Sequence, residues 1–165
     1  MRLFVGVIWL VLLRRYSALP ISEIEGLRSL YNATGGVDWT YEYADEGNPW
    51  NFSSEFTDPC LDKWYGITCY DNATVVGLNL YQNNLRGTLP DDLSLLRNLT
   101  ILNLGNNFLF STLPSSIGAL AMLKEVSVMY NRISGTTPPH LGNLTQLVSL
   151  GLAVNQLTGY IPNTI

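Results

Sequence analysis

Four stretches of the chain alternate apolar and polar residues and then break at an asparagine: LNLYQNNLRGTLP from Leu78, LNLGNNFLFSTLP from Leu102, VSVMYNRISGTTP from Val126 and LGLAVNQLTGYIP from Leu150. The period is 24 residues, fixed by Asn83, Asn107, Asn131 and Asn155 and again by Pro90, Pro114, Pro138 and Pro162. Self-similarity at such a period marks an architecture built by stacking one small unit on the next. The alternation Leu78-x-Leu80 or Val126-x-Val128 points one set of side chains inward along a strand, and predicts one strand per copy. Gly and Pro later in each copy forbid a long helix, so the chain must return through loops and short 3₁₀ pieces. Successive strands then lie in parallel, with Leu85, Leu89, Leu93 and Leu96 filling the interior of the first coil. No single copy can bury that surface alone; stacking creates the core.

The asparagines have a structural task in this scheme. Each stands where the chain leaves its strand in a sharp bend, and a side-chain amide offers both donors and an acceptor to the backbone groups freed there. Gly87, Gly135 and Gly159 read as turn positions, and Ser111 is the departure from that series. Before the repeats, Ser22 and Glu25 have capping-box spacing, and Ile24, Leu27, Leu30 and Tyr31 form one apolar stripe, predicting a short helix that ends before Gly35-Gly36. Trp39, Trp50, Trp64, Phe52 and Phe56 follow, enough aromatic mass for a small core. The first strand of a solenoid needs a cover over its open edge, and residues 19–74 are read as that cover.

The four copies follow LxxLxLxxNxLxGxIP, and the chain resembles plant-type leucine-rich repeat proteins over residues 20–165, with Ser111 and Thr137 as local departures. LYNATGGVDW and DPCLDKWYGITC resemble the N-terminal cap of plant-type and related algal or protist members, which the family places on extracellular chains. The resemblance implies an α/β, right-handed leucine-rich repeat solenoid with a short parallel sheet on the concave face. It further implies a 3₁₀ and loop convex side and a helical, disulfide-bearing N-terminal cap. The expected organisation is a leader at 1–18, the cap at 19–74, repeats at 75–98, 99–122 and 123–146, and a fourth, truncated repeat at 147–165. The chain stops five residues short of a full coil, which reads as a partial chain or truncated gene model.

Composition and charge narrow the class. The net charge is −4, and all 13 acidic residues but only 6 of the 9 basic ones fall after residue 18, which argues against nucleic acid as partner. Glu42, Asp45, Glu46, Glu55, Asp58 and Asp62 crowd one stretch of the cap. An apolar run from Leu3 to Leu13 suits a secretory signal and is too short to span a bilayer unaided, although Arg14-Arg15 and Tyr16 fit a cleavage site poorly and leave an uncleaved anchor or a misplaced start open. Behind such a leader, Cys60 and Cys69 read as a disulfide. A metal site is the weaker alternative, because the thiols lack further ligands and His140 is far along the chain. Sequons at Asn32, Asn51, Asn72, Asn98 and Asn143 support export and glycosylation, and also fit as repeat filler.

No catalytic constellation emerges. His140 has no Ser or Cys at motif spacing, Asp91-Asp92 read as solvated charges, and no phosphate-binding glycine loop, HExxH or GxSxG occurs. No cofactor is expected. The repeats offer a surface instead. Asn79, Tyr81, Gln82, Asn103, Asn106, Glu125, Met129 and Tyr130 are the candidate ligand-binding residues on the concave face, with Tyr81, Met129 and Tyr130 foremost because aromatics and Met carry most at interfaces. Three strand spacings give a face only about 15 Å across, small for a large partner. The leading expectation is a non-catalytic recognition module, secreted or on the outer cell surface, for a protein, peptide or glycan. A membrane enters only through an N-terminal anchor or a missing C-terminal part. The alternatives are the N-terminal fragment of a receptor kinase and an inhibitor of secreted polysaccharide-degrading enzymes.

Overall fold

A computed structural model describes residues 19–41, 47–54 and 57–161. The leader, Glu42, Asp45, Glu46, Glu55, Phe56 and the positions from Pro162 lie outside the described residues. Helix α1 (Ile21–Ala33) is followed by a 3₁₀ turn at Gly36–Asp38. Leu27 and Leu30 on its apolar stripe are fully buried. The capping box expected from Ser22 and Glu25 does not form. The helix starts at Ile21 with Pro20 as N-cap and no side-chain cap bond, and the Pro20 carbonyl accepts from the Glu23 and Ile24 N–H groups at 2.9 and 3.3 Å. Proline's fixed φ sets the helical entry there, which moves Ser22 inside the first turn, where it cannot cap.

Strands β1 (Ile67–Tyr70) and β2 (Thr74–Asn79) form an antiparallel pair, and β2 leads into the repeats. The repeats then supply β3 (Arg86–Gly87), β4 (Ile101–Asn103), β5 (Phe108–Ser111), β6 (Glu125–Ser127), β7 (Arg132–Thr136), β8 (Ser149–Gly151) and β9 (Gln156–Thr158). The order β1-β2-β4-β6-β8 makes one five-stranded sheet, parallel from β2 onward, and β3-β5-β7-β9 makes a second sheet of four. Short 3₁₀ turns at Asp91–Leu95, Ser115–Ala119 and Pro139–Asn143 close the coils. Each coil therefore holds two strands where the alternation predicts one. The second strands are two to five residues long, and each pairs in parallel with the second strand of the neighbouring coil. The core runs between the two sheets and the turns, and Leu78, Leu80, Leu85, Leu93, Leu96, Leu99, Leu102, Leu104 and Leu109 in it are almost wholly buried.

The cover expected over the first coil is double. Strand β1 closes the edge of the first sheet, and the end of α1 closes the second: the Thr34 and Ala33 carbonyls accept from Arg86 N–H at 2.9 Å and Thr88 N–H at 3.3 Å. Inside the cap, Trp39, Trp50 and Phe52 pack ring to ring with Tyr31, and Trp64 packs against Trp50 and Phe52. Two of the three buried indoles are hydrogen-bonded, Trp39 Nε1 donating to Thr34 O at 3.1 Å and Trp50 Nε1 to Tyr65 O at 2.8 Å. Burial pushes the Tyr41 phenol up to about 12, so it remains a neutral acceptor for the Trp50 N–H. Cys60 and Cys69 are bonded, with Cα atoms 5.8 Å apart.

Two departures from the repeat have distinct consequences. Thr137 is buried where an apolar residue is usual in the repeat pattern, and its hydroxyl donates to Tyr160 O of the next coil at 3.0 Å, so it costs no unpaired polar group. Ser111 keeps the left-handed backbone of its glycine counterparts, with φ +73° beside +76° at Gly135 and +79° at Gly159. Ser111→Gly relieves that conformation and is expected to raise stability by roughly 0.5–1 kcal/mol after the extra entropy of an unfolded glycine, measured as a higher urea midpoint at constant slope.

Glu23 is the buried carboxylate of α1. Its Oε2 accepts from Val75 N–H at 2.8 Å and it also meets the Asn98 amide. Burial nonetheless holds its pKa above 4.5, since desolvation outweighs both hydrogen bonds. The native state thus binds this proton more tightly than the unfolded chain, and the group's contribution to stability is full below the ordinary value and is lost as pH rises through the raised one. Glu23→Gln keeps an acceptor for Val75 without the charge. Its stability should equal or exceed the parent's at neutral pH, with a shallower decline above about pH 4.5 in denaturation series across pH.

Candidate functional site on the concave sheet

The strand register determines which side chains meet on the open face of the first sheet. Gly77, Ile101, Glu125 and Ser149 form one cross-strand row, and Asn79, Asn103, Ser127 and Gly151 the next. Because inward leucines alternate with these positions, the rows face out while Leu78, Leu102 and Val126 are buried beneath them. Gly77 is itself covered, for a Cβ there would lie 3.0 Å from the Thr68 side chain on β1. A shallow depression of about 240 Å³ lies over the middle strands, lined by Asn79, Ile101, Asn103, Glu125, Ser127 and Ser149.

Local hydrogen bonds fix the asparagines. Asn79 Oδ1 accepts from Tyr81 N–H at 3.3 Å and Asn103 Oδ1 from Gly105 N–H at 3.2 Å, each side chain turning back on the bend that follows its strand. The oxygens are thereby engaged, and the amide N–H groups make no hydrogen bond among the described residues. Glu125 is the charged member of the two rows and is exposed. The long side chains of the next row rest over glycines: a Cβ at Gly105 would lie 3.2 Å from the Tyr81 ring, and one at Gly151 would lie 2.9 Å from Met129 Cγ. Met129 is therefore half-buried in the gap that Gly151 leaves, while Tyr81 keeps 39% of its surface exposed.

Gln82, Asn106 and Tyr130 stand apart from this group. Together with Val154 they occupy the bend before each ladder asparagine with φ between +54° and +57°, a left-handed step repeated in every coil. Asn106 Nδ2 donates to Gln82 Oε1 at 3.0 Å, and both residues line a second depression, on the flank, with Thr40, Asn84 and Phe108. The structure thus brings Asn79, Asn103 and Glu125 together on the sheet, sets Tyr81 and Met129 at its margin, and places Gln82 and Asn106 around the corner. Strand β1, which sequence reasoning missed, adds a fifth strand and widens the face to roughly 19 Å. Its signal was the alternation in Ile67-Thr-Cys-Tyr70.

The ladder asparagines serve the fold. Asn107 Nδ2 donates to Leu80 O, Leu104 O and Gly105 O at 2.8–3.0 Å, and its Oδ1 accepts from Asn83 N–H and Leu85 N–H at 3.0 Å. Asn131 and Asn155 repeat the pattern one and two coils on. Each amide thus ties its own bend to the coil before. Repeats of this geometry match the family model described as Leucine Rich Repeat at residues 74–96, 98–120 and 122–144. The chain carries leucine-rich repeats of the plant type.

The leucine-rich repeat chain is 40% identical over 77 residues to a probable leucine-rich repeat receptor-like protein kinase of Arabidopsis thaliana, a match covering 45% of this chain and 8% of that one. It is 35% identical over 99 residues to pollen receptor-like kinase 6 of the same plant, covering 57% and 14% respectively. Its fold superposes on the crystal structure of PEPR1-AtPEP1 with a TM-score of 0.69 at 30% identity, over 84% of this chain and 19% of that chain. The leucine-rich repeat chain therefore spans a small fraction of the length of each of these proteins. Among the described residues no cluster of three or more His, Cys, Asp and Glu could hold a metal ion; Asp91 and Asp92 are exposed on one 3₁₀ turn and His140 on another. Asp92 Oδ2 accepts from Ser29 Oγ at 3.0 Å, a contact that joins α1 to the first turn. No described helix is long and apolar enough to cross a membrane.

Proposed function

We propose that this protein is a non-catalytic extracellular recognition module that takes an extended peptide across the concave sheet. The observation that carries the reading is the pairing of pinned asparagine donors, Asn79 and Asn103, with the exposed Glu125 carboxylate and the Tyr81 ring on one rigid surface. Amide donors can engage peptide carbonyls, the carboxylate can pair with a basic side chain, and the ring supplies contact area at low entropic cost. PEPR1 is seen with AtPEP1, and the relatives are receptor-like kinases, which favours a second, compatible reading of this chain as the N-terminal part of such a receptor. Inhibition of secreted polysaccharide-degrading enzymes is the remaining reading, and loss of all binding to such enzymes in a pull-down counts against it.

An extracellular location is supported by the Cys60–Cys69 disulfide and by the exposure of all five sequon asparagines. Asn32, Asn51, Asn72, Asn98 and Asn143 all lie outside the concave rows, so glycans on them leave that face open. The domain scheme of leader, cap and four repeats belongs to the same proposal. The test is selection of a displayed random-peptide library on the full chain. Selected peptides should carry basic residues, and Tyr81→Ala or Glu125→Lys should weaken them about tenfold or more. Peptides that bind both variants as tightly as the parent would overturn the assignment.

A further inference from the structure

The second sheet carries a cluster that the concave face does not use. Arg86 on β3 and Arg132 on β7 flank Phe108 on β5, their guanidinium carbons 4.9 and 5.4 Å from one ring centroid. Arg86 is level with Phe108 in the register and Arg132 with Phe110, and all four side chains are exposed. Arg86 Nε donates to Asn84 Oδ1 at 3.0 Å, and neither guanidinium meets a carboxylate among the described residues. In a chain of net charge −4 this is a local reversal of sign, with two cations held against a shared ring. Stacking on an aromatic face restrains the guanidinium plane and leaves its N–H edge for a planar anion. Beside the ring lies the flank depression of about 430 Å³, lined by Thr40, Gln82, Asn84, Asn106 and Phe108.

We propose that this flank binds a carboxylate-bearing saccharide chain, with Arg86 and Arg132 engaging uronate carboxylates and the amide and hydroxyl groups of the depression engaging sugar hydroxyls. Charge complementarity selects an anion, and bidentate geometry suits a carboxylate. The lining selects a hydroxyl-rich ligand over an acidic peptide. An extended peptide needs an open strand edge or apolar pockets, whereas β5 is paired on both sides and the depression is walled by three amides, one hydroxyl and the single Phe108 ring. The site is separate from the concave rows, so it does not depend on the peptide reading.

The test is calorimetric titration of the full chain with a short linear galacturonate oligomer, beside the same oligomer with its carboxylates methyl-esterified. The acid form should bind with an affinity that falls as salt rises, and the ester should bind at least tenfold more weakly. Arg132→Gln alone and Arg86→Gln with Arg132→Gln should each weaken the acid form progressively, by about tenfold per arginine, with unchanged circular dichroism. Glu125→Gln on the concave face should leave it unaltered. Equal binding of acid and ester, undiminished binding by the double variant, or displacement of the oligomer by a poly-glutamate peptide at lower concentration would each overturn the proposal.

Discussion

Asn107→Ala is expected to cost about 4 kcal/mol, whereas the same change at Asn83 should cost about 1 kcal/mol, although the two residues occupy one repeat position. The difference lies in what precedes each coil. Asn107 bridges two coils through five hydrogen bonds, and its removal leaves buried N–H and C=O groups on both without partners. Asn83 has no earlier repeat beneath it; its Oδ1 is buried with no partner and its Nδ2 makes one long bond, 3.4 Å, to Tyr81 O. Urea unfolding at constant slope measures both. Equal losses would mean that the amides act within their own bends and do not bridge coils.

Gly87→Ala should be nearly as damaging, at about 3–4 kcal/mol, and for a different reason. Gly87 has φ +143°, and a Cβ there would fall 1.9 Å from the Ala33 carbonyl oxygen at the end of α1. Backbone cannot yield as a flexible side chain does, so the helix end must lift from β3 and lose the bonds from Arg86 N–H and Thr88 N–H. Gly159→Ala is the matched control, since its Cβ would meet only the Thr136 methyl at 3.2 Å, and it should cost about 1 kcal/mol. Amide exchange should show the second half of α1 opening in the Gly87 variant and unaffected in the control. Protection of α1 in both would place the strain elsewhere.

The parts of this fold that were readable from the chain are those with a repeated physical cause. Leucines at strand spacing, an asparagine at each bend and a cysteine pair next to aromatic residues specify stacked coils under a stapled cap, and the structure has them. What escaped is structure imposed by neighbours. Arg86–Gly87 is too short to show alternation, and it is a strand because it pairs with Phe108 and Leu109 on one side and meets the α1 end on the other. The start of α1 was misplaced because Ser22 and Glu25 have capping spacing, while Pro20 fixes the entry two residues earlier. Within the candidate site, Asn79, Asn103 and Glu125 follow from strand parity. Gln82 and Asn106 do not, because the left-handed step at each turns the backbone after the alternation has ended. The Arg86–Phe108–Arg132 cluster needed the second sheet's register before it could be seen.

The claim that function resides on the concave sheet is tested most directly by scanning every exposed position for loss of a selected peptide while monitoring folded expression. Losses of about tenfold or more should concentrate at Asn79, Tyr81, Asn103 and Glu125, with exposed residues of the convex turns such as Arg97, Ala119 and Asn143 tolerant. A map in which the convex turns carry the losses and those four positions are neutral would contradict the account.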